Sequence, residues 1–96
     1  MPLPLSEQDI QTELKALDGW SYDNHKITKK FVFQHFREAI GFIVRLSYEA
    51  EQRDHHPEIF NVYNQVTLSL QTHDAGNQVT AKDIDLAKSI ETFNWL

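Results

Sequence analysis

Ninety-six residues, 41% hydrophobic and 24% charged, describe one folded domain over residues 1–96 rather than a disordered chain. The net charge of −5, with Lys26 and Lys29-Lys30 as the only basic cluster, excludes the broad cationic patch that direct nucleic-acid binding needs. No run reaches the roughly 20 apolar residues of a membrane span, and Met1-Pro2-Leu3-Pro4-Leu5 lacks the basic and apolar regions of a signal peptide. With no cysteine there is neither a disulfide framework nor a thiolate metal site, and the cytoplasm is the expected compartment.

Ser6-Glu7-Gln8-Asp9 reads as a helix start, with Ser6 as cap, Asp9 placed to bond back, and Leu5 and Ile10 at staple spacing. Ile10, Leu14 and Leu17 share one face of this first helix, which Asp18-Gly19 ends. Trp20 to Phe33 reads as a hairpin turning at Asp23-Asn24, with Ile27, Phe31 and Phe33 on its drier face.

The spacing of Phe36, Ala39, Ile40, Ile43, Leu46, Ser47 and Ala50 predicts a long helix from Phe36 to about Arg53. Phe42, Val44 and Tyr48 widen its apolar surface beyond that stripe. Such a helix is either covered by the first and third helices or shared with a second subunit. Pro57 stops it and biases His56 toward an extended backbone.

Ile59–Tyr63 and Val66–Gln71 read as two strands joined at Asn64-Gln65. A loop over Asp74–Gln78 follows, and Thr80 with Asp83 resembles a capping box for a last helix. Ile84, Ala87 and Ile90 form its inner face, with Phe93 joining them. The order α-β-β-α-β-β-α predicts an α+β fold, a four-stranded antiparallel sheet with its helices packed on one face.

Three of the five histidines stand where chemistry is plausible. His55 and His56 are adjacent at a helix-to-strand break, after Asp54 and before Pro57, and His73 ends a strand ahead of a glycine-containing loop. Neighbouring histidines that point different ways suit a reaction in which one group takes a proton and another delivers one. Glu51 lies four residues before His55, so a helix persisting that far puts both on one face, where the carboxylate holds the imidazole in one tautomer. His25 and His35 read as solvated or structural, and Asp83 first as a capping residue. A zinc site built on His55, His56 and His73 is the competing reading, although no HExxH or cysteine pair supports it.

Glu51-Gln52-Arg53-Asp54-His55-His56-Pro57, followed by Tyr63, His73 and Asp83, resembles the signature of the pterin-4a-carbinolamine dehydratases. The flanks Gly19-Trp20, Phe60–Asn64, Thr72-His73-Asp74 and Asp83–Ala87 agree, so the likeness runs from about Leu14 to Ile90. The resemblance implies a hydro-lyase that removes water from a 4a-hydroxytetrahydropterin, needs no cofactor or metal, and assembles as a homodimer or homotetramer. It implies His55, His56 and His73 as catalytic, and Glu51, Asp54, Pro57, Gln71, Thr72, Asp74 and Asp83 around the pterin. One histidine protonates the departing C4a hydroxyl and another accepts the N5 proton, with His56 weighted most because Pro57 restrains its backbone. The alternative function is a non-catalytic dimerisation or assembly factor of the same fold, with a protein partner. The chain departs from the family pattern twice: the stretch from His73 to Asp83 is one residue longer, and Ile59 stands where animal members often carry tryptophan.

Overall fold

The computed structural model describes residues 2–93; Met1 and residues 94–96, the ends of the predicted domain, lie outside the described residues. The first helix, α1, spans Glu7–Leu14. Its cap is as expected: the Asp9 N–H donates to Ser6 Oγ at 3.1 Å. The helix is shorter than the apolar spacing predicts. Leu17 is still buried, but a turn beyond the helix carries it there. Gly19 follows with φ +86°, a left-handed conformation, and a Cβ there would stand 2.9 Å from the Lys29 side chain.

Strands β1 (Ser21–Asp23) and β2 (Lys26–Val32) form the first hairpin, and β3 (Glu58–Val62) and β4 (Gln65–Leu70) the second. Both turns differ by one residue from the expected positions. Asp23 pairs with Lys26, so Asn24 and His25 are the central residues, both left-handed at φ 52° and 64°. Val62 pairs with Gln65, so the second turn is Tyr63-Asn64, with Tyr63 at φ 50°. Two left-handed residues match the twist of a two-residue hairpin. His25 therefore serves the turn.

The four strands are antiparallel in the order β1-β2-β4-β3, since β4 inserts between the first hairpin and β3. Alternation gives the sheet one dry face. Ile27, Val66, Leu68 and Leu70 are fully buried on it, while Thr28, Lys30, Val32, Phe60 and Thr67 fall on the other. The dry face meets helix α2 (Phe36–Arg53) through Ala39, Phe42, Leu46 and Ala50, and helix α3 (Ala81–Glu91) through Ile84, Leu86, Ala87 and Ile90. No helix among the described residues is long and apolar enough to cross a membrane.

Helix α2 keeps its predicted bounds, and Ala39, Leu46 and Ala50 of the expected stripe do face the core, but the inward face is rotated relative to that stripe. Phe42, expected beyond the stripe, is a core residue, whereas Phe36, Ile40 and Ser47, expected on it, are exposed. Small Ala39 and Ala50 let the backbone approach the sheet, so their face is the one that packs. Phe36, Ile40, Val44 and Tyr48 then form an i, i+4 row on the other side, between 37% and 69% exposed. His35 caps this helix through Nδ1, which accepts from the Glu38 N–H at 3.1 Å.

Glu49 joins α2 to α3. Its carboxylate accepts from Arg45 and Arg53, each at 2.7 Å, and from Ser89 Oγ at 3.0 Å, while Arg53 also reaches Asp85 at 3.0 Å. The Arg45 hydrogen bond first, then those from Arg53 and Ser89, lower the Glu49 carboxyl from 4.5 to about 2. A depressed carboxyl stabilises the fold above its ordinary range and loses that contribution as pH falls from 4.5 toward 2. Glu49→Gln is expected to cost about 1 kcal/mol or less at pH 7, the scale of partly exposed pairs. Between pH 5 and about 2.5 the variant should lose less stability than the wild type. Urea denaturation across that range checks this; parallel losses would show that Glu49 carries none of the acid sensitivity.

Candidate active site

Three chain segments meet at one end of the sheet: the exit of α2, the end of β4, and the start of α3. Asp54 closes α2 in the left-handed conformation, φ 48° and ψ 46°, which lets the His55 N–H return to Ala50 O at 3.0 Å. The chain therefore leaves the helix before Pro57 can act on it, and the two histidines diverge. His55 turns inward and is buried; His56 stays exposed.

His55 Nε2 lies 2.6 Å from Asp83 Oδ1. Asp83 is completely buried, and its other oxygen accepts from Thr72 Oγ1 at 2.8 Å and from the Thr80 N–H at 2.9 Å. With the Thr72 hydroxyl donating to Asp83, the Thr80 hydroxyl donates to Thr72 Oγ1 at 2.6 Å and accepts from the Lys82 N–H at 3.2 Å. When Asp83 is ionised its oxygens only accept, and His55 then meets it with Nε2–H. Asp83 is both the capping residue of α3 and the support for His55.

Glu51 does not share a face with His55 as the helical spacing suggests. Because the helix ends at Arg53, its Oε1 reaches His56 Nε2 instead, at 3.3 Å on the surface. His73 opens a short 3-10 turn, His73–Ala75, and its Nδ1 lies 3.1 Å from Asn77 Oδ1.

These elements enclose an open cavity of about 240 Å³ lined by Asp54, His55, His56, Gln71, Thr72, His73, Asp74 and Lys82. All three expected catalytic histidines thus border one space, with Asp54, Gln71, Thr72 and Asp74 of the expected pterin-contacting set. The other three of that set do not line it: Glu51 lies on the exposed helix end behind His56, Pro57 follows it half-buried, and Asp83 is sealed behind His55. Full burial makes Asp83 a support for a ring rather than a contact for a substrate. Asp83 stands at the start of α3 with its capping box intact. Lys82 and Asn77 had no assigned role from sequence. Lys82 carried a signal in adjoining the capping aspartate; Asn77, within a loop, carried none. Among the described residues no three His, Cys, Asp or Glu side chains are grouped to hold a metal ion.

The family model for pterin 4 alpha carbinolamine dehydratase matches residues 3–93. The chain belongs to that family. A relative from Opitutus terrae named for this dehydratase is 48% identical over 96 residues, covering 100% of this chain and 99% of its own. One from Sulfolobus acidocaldarius, named likewise, is 42% identical, covering 92% of this chain and 96% of its own. The crystal structure of a transcriptional coactivator/pterin dehydratase from Brucella melitensis superposes with a TM-score of 0.87 at 41% identity, covering 92% of this chain and 95% of that one. The α+β fold with its open antiparallel sheet is therefore the family's fold, and the chain is an enzyme of the hydro-lyase class.

The Asp83 network makes a prediction of its own. Asp83→Ala strands His55 Nε2–H, the Thr72 hydroxyl and the Thr80 N–H in a buried space. Such losses cost about 2–4 kcal/mol. Chemical denaturation measures it, and a cost below about 1 kcal/mol would mean that water or a rearranged side chain replaces the carboxylate.

Proposed function

We propose that the enzyme dehydrates a 4a-hydroxytetrahydropterin to the quinonoid dihydropterin, in the cytoplasm and in support of tetrahydropterin recycling, by general acid–base catalysis with His55, His56 and His73. The observation that carries this reading is their convergence on one cavity, each with one ring nitrogen held by a protein oxygen. The reaction asks for little else. A proton is delivered to the C4a hydroxyl, the C–O bond breaks, and water departs. The N5–H bond gives its electrons to a new C4a=N5 double bond while a second group accepts the proton. No electrons leave the pterin, so neither a redox cofactor nor a metal is required, and histidine is suited to both transfers near neutral pH.

A stopped-flow assay of carbinolamine dehydration, compared with the uncatalysed rate, tests the proposal. His56→Ala should lower kcat by about 10²-fold or more, the scale of a positioned acid or base, and wild-type turnover should survive exhaustive chelation. Near-normal turnover in a well-folded His56→Ala variant would rule out its assignment.

A second reading concerns assembly as a homodimer or homotetramer, with a further protein partner on the same surface as its extension. It is favoured by the exposed row Phe36, Ile40, Val44 and Tyr48 on α2, and by the edge strand β3, where Ile59, Phe60 and Val62 are also exposed. A lone domain of this size seldom leaves such a row in water, and an open sheet edge is a ready site for pairing across a two-fold axis. Light scattering at micromolar concentration should find at least a dimer, and Val44→Glu should shift it toward monomer, since burying an unpaired charge is costly. A monomeric wild type would sink this reading; an oligomer indifferent to Val44→Glu would move the interface off α2.

A further inference from the structure

We infer that Asn77 is a positioning residue for His73: its side-chain carbonyl holds the ring proton on Nδ1 and so leaves Nε2 as the free lone pair of a cavity-lining histidine. The inference rests on the catalytic reading of His73 and adds to it the form in which that ring works.

The loop that carries both residues is closed on itself. Thr72 O accepts from the N–H groups of Ala75 and Asn77, each at 3.1 Å, the Gly76 N–H donates to His73 O at 3.1 Å, and the Thr72 N–H donates to Gln78 O at 2.8 Å. Gly76 and Asn77 are both left-handed, at φ 72° and 61°. Asparagine is one of the few side chains that tolerates this conformation, so position 77 can bear a functional group where most residues would be strained. The backbone thus fixes where the Asn77 amide begins, and Oδ1 ends 3.1 Å from His73 Nδ1.

A carbonyl oxygen only accepts, so the ring nitrogen facing it carries the proton. A free neutral imidazole in water favours the opposite tautomer, with its proton on Nε2, so the contact selects a form the ring would not otherwise prefer. The other two histidines are held the other way round: His55 and His56 each give Nε2 to a carboxylate, from Asp83 and Glu51. Of the three cavity histidines only His73 is held through Nδ1, and by a neutral group. A carboxylate at position 77 would also fix the tautomer, but it would favour the protonated ring, which has no lone pair to offer. An amide selects the tautomer without that consequence, as a proton acceptor requires.

The test reads the tautomer and the chemistry separately, on the full chain. Two-bond ¹H–¹⁵N correlation spectra of histidine-labelled protein should show His73 with its proton on Nδ1. Asn77→Gly keeps the left-handed backbone and removes the amide. It should move His73 toward the Nε2–H form and lower kcat about 10-fold with KM little changed, the scale of losing a residue that orients a working group. Asn77→Asp should retain the Nδ1–H form but raise the low-pH limb of kcat/KM by about one unit, with Asp54, Asp74, His55, His56 and Lys82 still facing the same cavity. An Nε2–H form in the wild type would overturn the inference, and so would an Asn77→Gly variant with unchanged tautomer and turnover. Full turnover in His73→Ala would instead sink the catalytic reading beneath it, and the spectra, which need no turnover, tell the two failures apart.

Discussion

A carboxylate with no access to water must have its oxygens satisfied by the protein, and Asp83 meets that condition by drawing three separate elements together. One oxygen takes His55 from the exit of α2; the other takes Thr72 from the end of β4 and the N–H of Thr80 at the start of α3. The energetic asymmetry of buried polar groups makes such a junction all-or-none: fully paired it is neutral to favourable, half-paired it is costly. No buried side-chain nitrogen or oxygen among the described residues lacks a partner. The position of His55 at the cavity is therefore set by the packing of the whole domain, and a shift of α3 along the sheet would be felt at that ring.

The long helix shows how one element serves two surfaces. Ala39, Phe42, Leu46 and Ala50 meet the sheet, and the salt-bridged side of Arg45, Glu49 and Arg53 meets α3. What is left is the row from Phe36 to Tyr48, apolar and open. Because three faces are specified at once, hydrophobic periodicity alone could not choose the inward one. The two apolar rows have nearly the same spacing, and only the small side chains of Ala39 and Ala50 separate them.

Much of the fold was legible because local signals and burial agree. The Ser6 cap, the Thr80–Asp83 capping box and the alternation Val66, Leu68, Leu70 each predict an observed feature. The misplacements come from non-local causes. Both turns moved by one residue because the pairing of strands, set by which side chains face the core, chooses the turn residues. Helix α1 stops at Leu14 although the apolar spacing runs on, because Leu17 can reach the core from a turn as well as from a helix. In the site, the histidines and their cavity neighbours were legible as types and spacing. Their supports were not: the exchange of Glu51 from His55 to His56 depends on a left-handed Asp54, and the Asn77 contact on a loop closed by backbone hydrogen bonds.

The three rings differ in ways that bear on a reaction needing one proton in and one out. His55 is buried and tied to a carboxylate itself held by two further donors, so its orientation is fixed by the core. His56 and His73 are exposed, each held by a single side chain and open to exchange with solvent. A dehydratase must return to its starting protonation after every turnover, and a ring sealed from water does this slowly unless a neighbour relays for it. On the proposed chemistry the exposed pair exchanges protons readily with solvent, while His55, which reaches the cavity from the core, acts from a fixed orientation. A rigid buried ring beside two solvent-coupled ones combines preorganisation with proton exchange, which a single environment for all three would not provide.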